Sequence, residues 1–261
     1  MPINSPIKYY GSKTTMRKFI FKHFPFKMDY DLYCEGFGGG ASILLSKERD
    51  PLEIYNDLGE NVYSLFKVLS DKEKFEKLKE RMDLTPYSAQ IRQEFKNSLK
   101  NDELSIDDRA YKFLVVNRSS FNGVGGLSVN LAVRRGMSKS VSDYLSMIDG
   151  LPEIHNRLSS VVVENRDILD FIKKYDSERT FFYLDPPYIR ATRLSNQNYE
   201  KEMSNEDHEA LVDLVLKSKG LFLISGYNHP IYDKLLPKFE RIDFESPNTG
   251  SNAIESLWKN Y

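Results

Sequence analysis

The residues best suited to chemistry are Asp185-Pro186-Pro187-Tyr188, which close an apolar run that begins at Thr180. Thr180-Phe-Phe-Tyr-Leu184 has the composition of a buried central strand. Neither proline has an N–H, and each biases the residue before it away from the helical region. The strand must therefore stop in a stiff, extended turn. A carboxylate, a rigid carbonyl and an aromatic ring are thus gathered at the carboxyl end of a strand, the edge of an open α/β sheet where ligands bind. Such a turn suits a planar amine. Asp185 can accept one hydrogen of an adenine 6-amino group, the Pro186 carbonyl can accept the other, and Tyr188 can stack on the ring. A base–aromatic stack is worth roughly 1–3 kcal/mol. That offsets part of the cost of taking a base out of a duplex.

A second candidate is Gly36-Phe-Gly38-Gly-Gly-Ala41, which fits the spacing G-x-G-x-x-[GA], with Asp57 following at the distance expected of a ribose-binding acid. Glycines let backbone approach a ligand, and a helix N-terminus after them favours a negative group. Nicotinamide dinucleotides and S-adenosylmethionine both carry an adenosine ribose, so the turn alone serves either. Asp185–Tyr188 has no use in hydride transfer, which favours the methyl donor.

These residues need a scaffold, and the chain supplies a strand–helix rhythm. Asp31–Cys34 reads as a strand running into the glycine turn, followed by a helix over Ser42–Lys47. Glu53–Asn56 reads as a second strand, and Val62, Leu65, Phe66 and Leu69 mark an amphipathic helix. Residues 70–151 differ in character. They are rich in Lys and Glu, hold three expected helices (Asp71–Met82, Tyr87–Leu99 and Ile106–Asn117) and offer no convincing strand. A glycine-rich loop over Asn117–Asn130 and a basic patch with Arg134, Arg135 and Lys139 complete that block. The rhythm resumes with Val161–Glu164, then Asp167 ahead of a short helix, then the strand at Thr180. A helix from Asn205 capped by Ser204, a strand over Leu221–Ser225 and a hairpin of Phe239–Phe244 with Ala253–Tyr261 follow. The expected class is α/β with a mixed central sheet. One discontinuous domain (1–69 and 152–261) would carry the chemistry, with a helical insertion at 70–151.

At 261 residues the chain can bury a full core. Its single cysteine, Cys34, excludes an internal disulfide framework and fits a reducing, cytoplasmic setting. The four histidines lack metal-ligand spacing, so no metal is expected. No apolar run is long enough to span a bilayer, and the first residues have no leader pattern. The formal net charge of −1 leaves a polyanion only local basic clusters to bind. One is Met1–Met28, with six basic residues and no acid. A further helix is expected over Thr14–Phe24 from the spacing of Met16, Phe19, Ile20 and Phe24.

Taken together, the motifs resemble those of the Dam-type DNA adenine methyltransferases. Lys8-Tyr9-Tyr10-Gly11-Ser12-Lys13 resembles the family's N-terminal motif, and Glu35–Ser42 its glycine motif. Asn56-Asp57 resembles the ribose-binding strand end, and Asp185–Tyr188 the catalytic signature. Leu223–Ser225 and Glu255–Tyr261 resemble the late strands. Gly36 stands where the family has proline and Ser12 where it has glycine. The resemblance implies a Rossmann-like S-adenosylmethionine-dependent methyltransferase fold with an inserted helical DNA-recognition domain. It implies that Tyr9, Lys13, Glu35, Phe37, Gly39, Asp57, Asp167 and Asp185 contact S-adenosylmethionine. It gives Asp185, Pro186, Pro187 and Tyr188 to catalysis on a flipped adenine of double-stranded DNA. Lys8, Arg118, Asn122, Arg134, Arg135, Lys139, Arg190 and Arg193 would meet that DNA, the protein acting as a monomer or weak dimer. Three rivals stand beside this reading: a methyltransferase acting on cytosine, RNA adenine or a glutamine amide, a nucleic-acid-binding protein that keeps the fold without the activity, and an oxidoreductase that rests on the glycine turn alone.

Overall fold

A computed structural model describes residues 3–189, 201–245 and 254–261. In chain order the elements begin with α1 (Arg17–Phe21), β1 (Leu32–Glu35), β2 (Leu52–Asn56), α2 (Glu60–Ser70) and α3 (Lys72–Asp83). Next come α4 (Ala89–Ser98), α5 (Ile106–Ser119), β3 (Val133–Arg134), β4 (Met137–Ser138) and α6 (Lys139–Leu158). The chain then forms β5 (Val162–Glu164), α7 (Ile168–Tyr175), β6 (Thr180–Leu184) and α8 (Asn205–Val215). It closes with β7 (Leu221–Tyr227), α9 (Pro230–Asp233), β8 (Glu240–Glu245) and β9 (Ile254–Lys259). Contacts divide these into two compact units, one of residues 1–12, 39–46 and 60–163, the other of residues 13–38, 47–59 and 164–261.

The second unit is organised by a sheet in which β2, β1, β6, β7, β9 and β8 lie side by side in that order. Strands β2, β1, β6 and β7 run parallel, while β9 is antiparallel to both β7 and β8. This is the mixed sheet of the Rossmann-like methyltransferase fold. Strand β6 is buried at all five positions, as expected of a run with helices or strands on every side. Phe182, Leu184, Phe222, Ile224 and Trp258 pack with Phe171 and Ile172 of α7 and Leu211 and Val212 of α8. Ser204 caps α8 through a reciprocal capping box with Asp207.

In the first unit, α2 buries Val62, Leu65, Phe66 and Leu69, the four positions whose spacing marked it. Helices α3, α4 and α5 lie where the Lys- and Glu-rich block predicted them. Three features differ from expectation. Residues 42–46 form turns rather than a helix, with Leu45 N–H bonded to Ala41 O and Ser46 N–H to Ile43 O. Ala41 enters at φ 53°, and so short a stretch ahead of Pro51 cannot offset helix nucleation. Helix α6 was not anticipated. Gly150 and Pro152 are poor helix residues, but Tyr144, Met147, Ile148, Leu151, Ile154 and Leu158 form a buried stripe that carries the helix through them. The block also holds strands after all, the two-residue hairpin β3–β4. Its central residues Arg135 and Gly136 both have positive φ, as a type I′ turn requires. The first helix is shorter than its spacing suggested, spanning only Arg17–Phe21.

Candidate active site

Because β2, β1 and β6 are parallel neighbours, their carboxyl ends share one edge. Asp57 follows β2, Glu35 ends β1 and Asp185 follows β6. Side-chain amides tie the loops at this edge together. Asn56 Nδ2 donates to Gly36 O at 3.0 Å and Arg166 O at 3.1 Å, and its Oδ1 accepts Arg166 N–H at 2.8 Å. Asn165 Nδ2 donates to Asp57 O at 2.7 Å. One buried asparagine thereby fixes the glycine turn against the loop that carries Asp167. Asp167 Oδ1 accepts Leu169 N–H at 2.9 Å as the cap of α7, and Asp57 Oδ1 accepts Gly59 N–H at 2.7 Å. Glu35 is buried and accepts the Tyr33 hydroxyl at 2.7 Å.

The glycines are required by close packing. A Cβ on Gly36 would lie 2.6 Å from Leu184 and 2.7 Å from Ile168, and one on Gly38 would strike the Tyr55 ring at 2.0 Å. In the first unit Gly39 has φ 48°, and a Cβ there would meet the Tyr9 ring at 2.5 Å. Half-buried Phe37 packs on the apolar core of the second unit. This edge fits S-adenosylmethionine better than a dinucleotide. Carboxylates suit ribose hydroxyls and a cationic sulfonium, whereas a pyrophosphate would meet a row of acids without the helix N-terminus that normally binds it.

Asp185 is held on both oxygens. Lys13 Nζ donates to Oδ2 at 2.7 Å, and Ser225 Oγ donates to Oδ1 at 2.7 Å. Tyr183 O–H backs Ser225 at 3.1 Å, giving a relay across the parallel β6–β7 pair. Burial pushes the Asp185 carboxyl above its ordinary value, against the pull of Lys13 and Ser225, and the Glu255 charge adds to the rise. Pro186 is buried, and Pro187 and Tyr188 are half-buried. The Lys13 ammonium also lies 4.8 Å from the centre of the Tyr188 ring. It therefore occupies the space flanked by the Asp185 carboxylate and the Tyr188 face. Tyr188 O–H donates to Glu255 Oε2 at 2.8 Å, and burial, with the Asp185 and Glu255 charges, keeps that phenol protonated.

The nucleic-acid candidates of the first unit have other partners. Lys8 Nζ donates to Ser120 O at 2.8 Å and Arg118 O at 3.3 Å, carbonyls at the end of α5. Asn117 clamps the Lys8 backbone in both directions, at 2.8 and 2.9 Å. Burial, followed by the Arg118 charge, lowers the Lys8 pKa. Arg118 donates to Asp143 O at 3.5 Å, and burial lowers its pKa too. Asn122 is exposed at φ 50°, a left-handed position asparagine tolerates. Arg134 and Lys139 both bond the Asp143 carboxylate, at 2.6 and 2.5 Å, and Arg135 bonds Ser146 Oγ at 3.1 Å. Arg190 and Arg193 lie outside the described residues.

Sequence reading missed the roles of Asn56, Ser225, Glu255 and Asp143. The available signal was a polar residue inside an apolar strand, as in Leu221–Ser225 and Glu255–Trp258. Among the described residues, no group of His, Cys, Asp or Glu is placed to hold a metal ion, and no helix is long and apolar enough to cross a membrane.

No curated protein matches the chain. A family model described as D12 class N6 adenine-specific DNA methyltransferase matches residues 9–245. That match takes in the strand ends bearing Asp57 and Asp185 and covers most of the sequence, so the chain belongs to the D12 class of N6 adenine-specific DNA methyltransferases.

Proposed function

We propose that Asp185, Pro186 and Tyr188 form the receptor for a flipped adenine in the reaction of this family. S-adenosylmethionine supplies an activated methyl group, and the N6 atom of an adenine in DNA receives it. The observation that carries the proposal is Lys13. Its ammonium donates to Asp185 at 2.7 Å and lies 4.8 Å from the Tyr188 ring centre, so a cationic nitrogen is already accommodated there. An adenine stacked on Tyr188 would bring its amino group to the same carboxylate, with Lys13 displaced toward the cofactor side.

The amino lone pair of adenine is delocalised into the ring. Hydrogen bonds to the Asp185 carboxylate and the Pro186 carbonyl favour a more tetrahedral nitrogen with its lone pair directed at the methyl. Those bonds strengthen as positive charge develops, which lowers the transition state more than the ground state. The raised pKa of Asp185 then suits it to share the proton that the nitrogen must shed. Tyr9, Lys13, Glu35, Phe37, Gly39, Asp57 and Asp167 are the residues we assign to the cofactor.

Residues 70–151 would read the target site. Support comes from exposed Arg134, Arg135 and Lys139 on and beside a hairpin, with Val129, Leu131 and Val133 exposed next to them. On this reading the protein acts as a monomer or weak dimer. The buried thiol of Cys34 fits a reducing cytoplasm. The test is transfer of labelled methyl to duplex DNA, with the product nucleoside identified. Label on N6 of adenine that disappears in Asp185→Ala supports the reading, and full activity in that variant sinks it.

A further inference from the structure

A base can stack productively only on a ring held at a fixed tilt, yet Tyr188 stands in a segment without regular secondary structure. The sheet holds it at two points. Glu255 Oε2 accepts its phenol hydrogen at 2.8 Å, and the Tyr227 ring meets it at 4.7 Å and an interplanar angle of 67°. Tyr227 and Glu255 are cross-strand partners in the β7–β9 ladder, so one rung of the sheet provides both contacts. Glu255 is buried, with Leu257 and Trp258 buried farther along the same strand. A carboxylate in that position is costly unless something requires its charge or its bond.

We infer that Glu255 is a positioning residue for methyl transfer, setting the tilt of the Tyr188 ring through the phenol hydrogen bond. The inference rests on the reading of Asp185–Tyr188 as the adenine receptor. A charged acceptor makes the bond shorter and stronger than a neutral one, and the ladder fixes that acceptor where a loop residue could not. The same carboxylate also acts on Asp185 through space, adding to the rise in its pKa. Glu255 thus reaches both the stacking and the hydrogen-bonding parts of the receptor without touching the base.

The experiment uses the full chain and a duplex carrying the site that the wild type is first mapped to methylate. Single-turnover transfer gives the rate, and 2-aminopurine at the target position reports base extrusion. Tyr188→Phe removes the hydroxyl without touching β9, Glu255→Ala removes the acceptor, and Glu255→Gln keeps a neutral one. Each of the first two should slow transfer about tenfold or more, the scale of a lost charge-assisted hydrogen bond, with cofactor affinity unchanged. The double variant Tyr188→Phe/Glu255→Ala should be no slower than the slower single. Glu255→Gln should recover most of the rate and shift the acid limb of the pH profile downward. Losses that multiply in the double variant, or a wild-type rate for Tyr188→Phe, overturn the inference alone. Equal activity of the wild type and Asp185→Ala overturns the receptor reading and the inference with it. Should Glu255→Ala fail to fold, the Tyr188→Phe rate and the pH limb of Glu255→Gln still decide.

Discussion

Charge at the Asp185 receptor is held by strands and buried, whereas charge on the β3–β4 hairpin is paired at the surface. Asp185 and Lys13 have side chains 18% and 5% exposed, and Ser225 and Glu255 are both buried on neighbouring strands. Arg134, Lys139 and Asp143 are 47%, 46% and 35% exposed, and the hairpin that starts their run is two residues deep. In the first setting desolvation makes each interaction large and removes freedom to rearrange. In the second, water and salt make each pair weak and exchangeable. A group that must act on one atom needs the first arrangement. A surface that must trade its own carboxylate for phosphates needs the second.

The comparison predicts the largest losses at the receptor. Asp185→Ala removes the acceptor proposed to tighten in the transition state, and transfer should fall about 10²–10³-fold, measured by single-turnover methylation. Lys13→Met comes next. It leaves the Asp185 carboxylate half-buried without its cation, and breaking a buried pair costs on the order of 3–5 kcal/mol. The variant should unfold at lower denaturant concentration. Its remaining activity should also need higher pH. Burial already raises the Asp185 pKa, with Lys13 opposing the rise. The wild-type rate should therefore fall with acid at a pH above the ordinary carboxylate range, near 3.9 for aspartate, and Lys13→Met should move that limb further up. An unmoved limb would break the link between Lys13 and Asp185 on which the comparison stands.

What the sequence made legible follows the same division. Strand β6 and its Asp-Pro-Pro-Tyr exit could be read because burial on all sides dictates an apolar run, and because two prolines allow few continuations. The glycine turn was legible for a similar reason, since Gly36 and Gly38 have no room for a side chain. Ser225, Glu255 and Asn56 could be seen as strand residues but not as partners, because pairing depends on strand order, which spacing along the chain does not encode. The Ser42–Lys47 helix failed on backbone geometry at Ala41, where composition alone looks helical. Helix α6 was hidden by Gly150 and Pro152, whose local cost its buried stripe overrides. On the hairpin, the basic residues were visible, but the acid that holds them lies nine residues beyond Arg134 and four beyond Lys139.

At the hairpin the effects should be smaller and dependent on salt. Replacing Arg134 and Arg135 with alanine should leave the rate at saturating DNA within a few-fold of wild type. If both meet phosphates, the slope of log affinity against log salt should flatten by roughly 0.9 for each lost contact. Titrations across a range of salt measure it. A lost rate with an unchanged slope would move these residues to the chemical side of the comparison.

Asp143→Asn should have the smallest effect, and its sign is informative. Asp143 accepts Arg134 on one oxygen and Lys139 on the other, and these bonds, Lys139 first, hold its carboxyl below the usual range. A depressed folded pKa contributes stability that is present above the unfolded value and lost as pH falls through the folded one. Exposed pairs contribute about 0.2–1 kcal/mol each, so the substitution should cost only about 1 kcal/mol at neutral pH. On the proposed DNA-reading role of the hairpin, it also removes the carboxylate that would compete with DNA phosphates for the same two cations. Affinity for DNA at low salt should therefore rise by roughly two- to fivefold, the same free energy read as binding, and the gain should fade as salt is added. If affinity fell instead, Asp143 would be ordering the hairpin for DNA rather than competing with it. The surface charges would then be as fixed in purpose as those of the receptor, and the contrast between the two regions would reduce to burial.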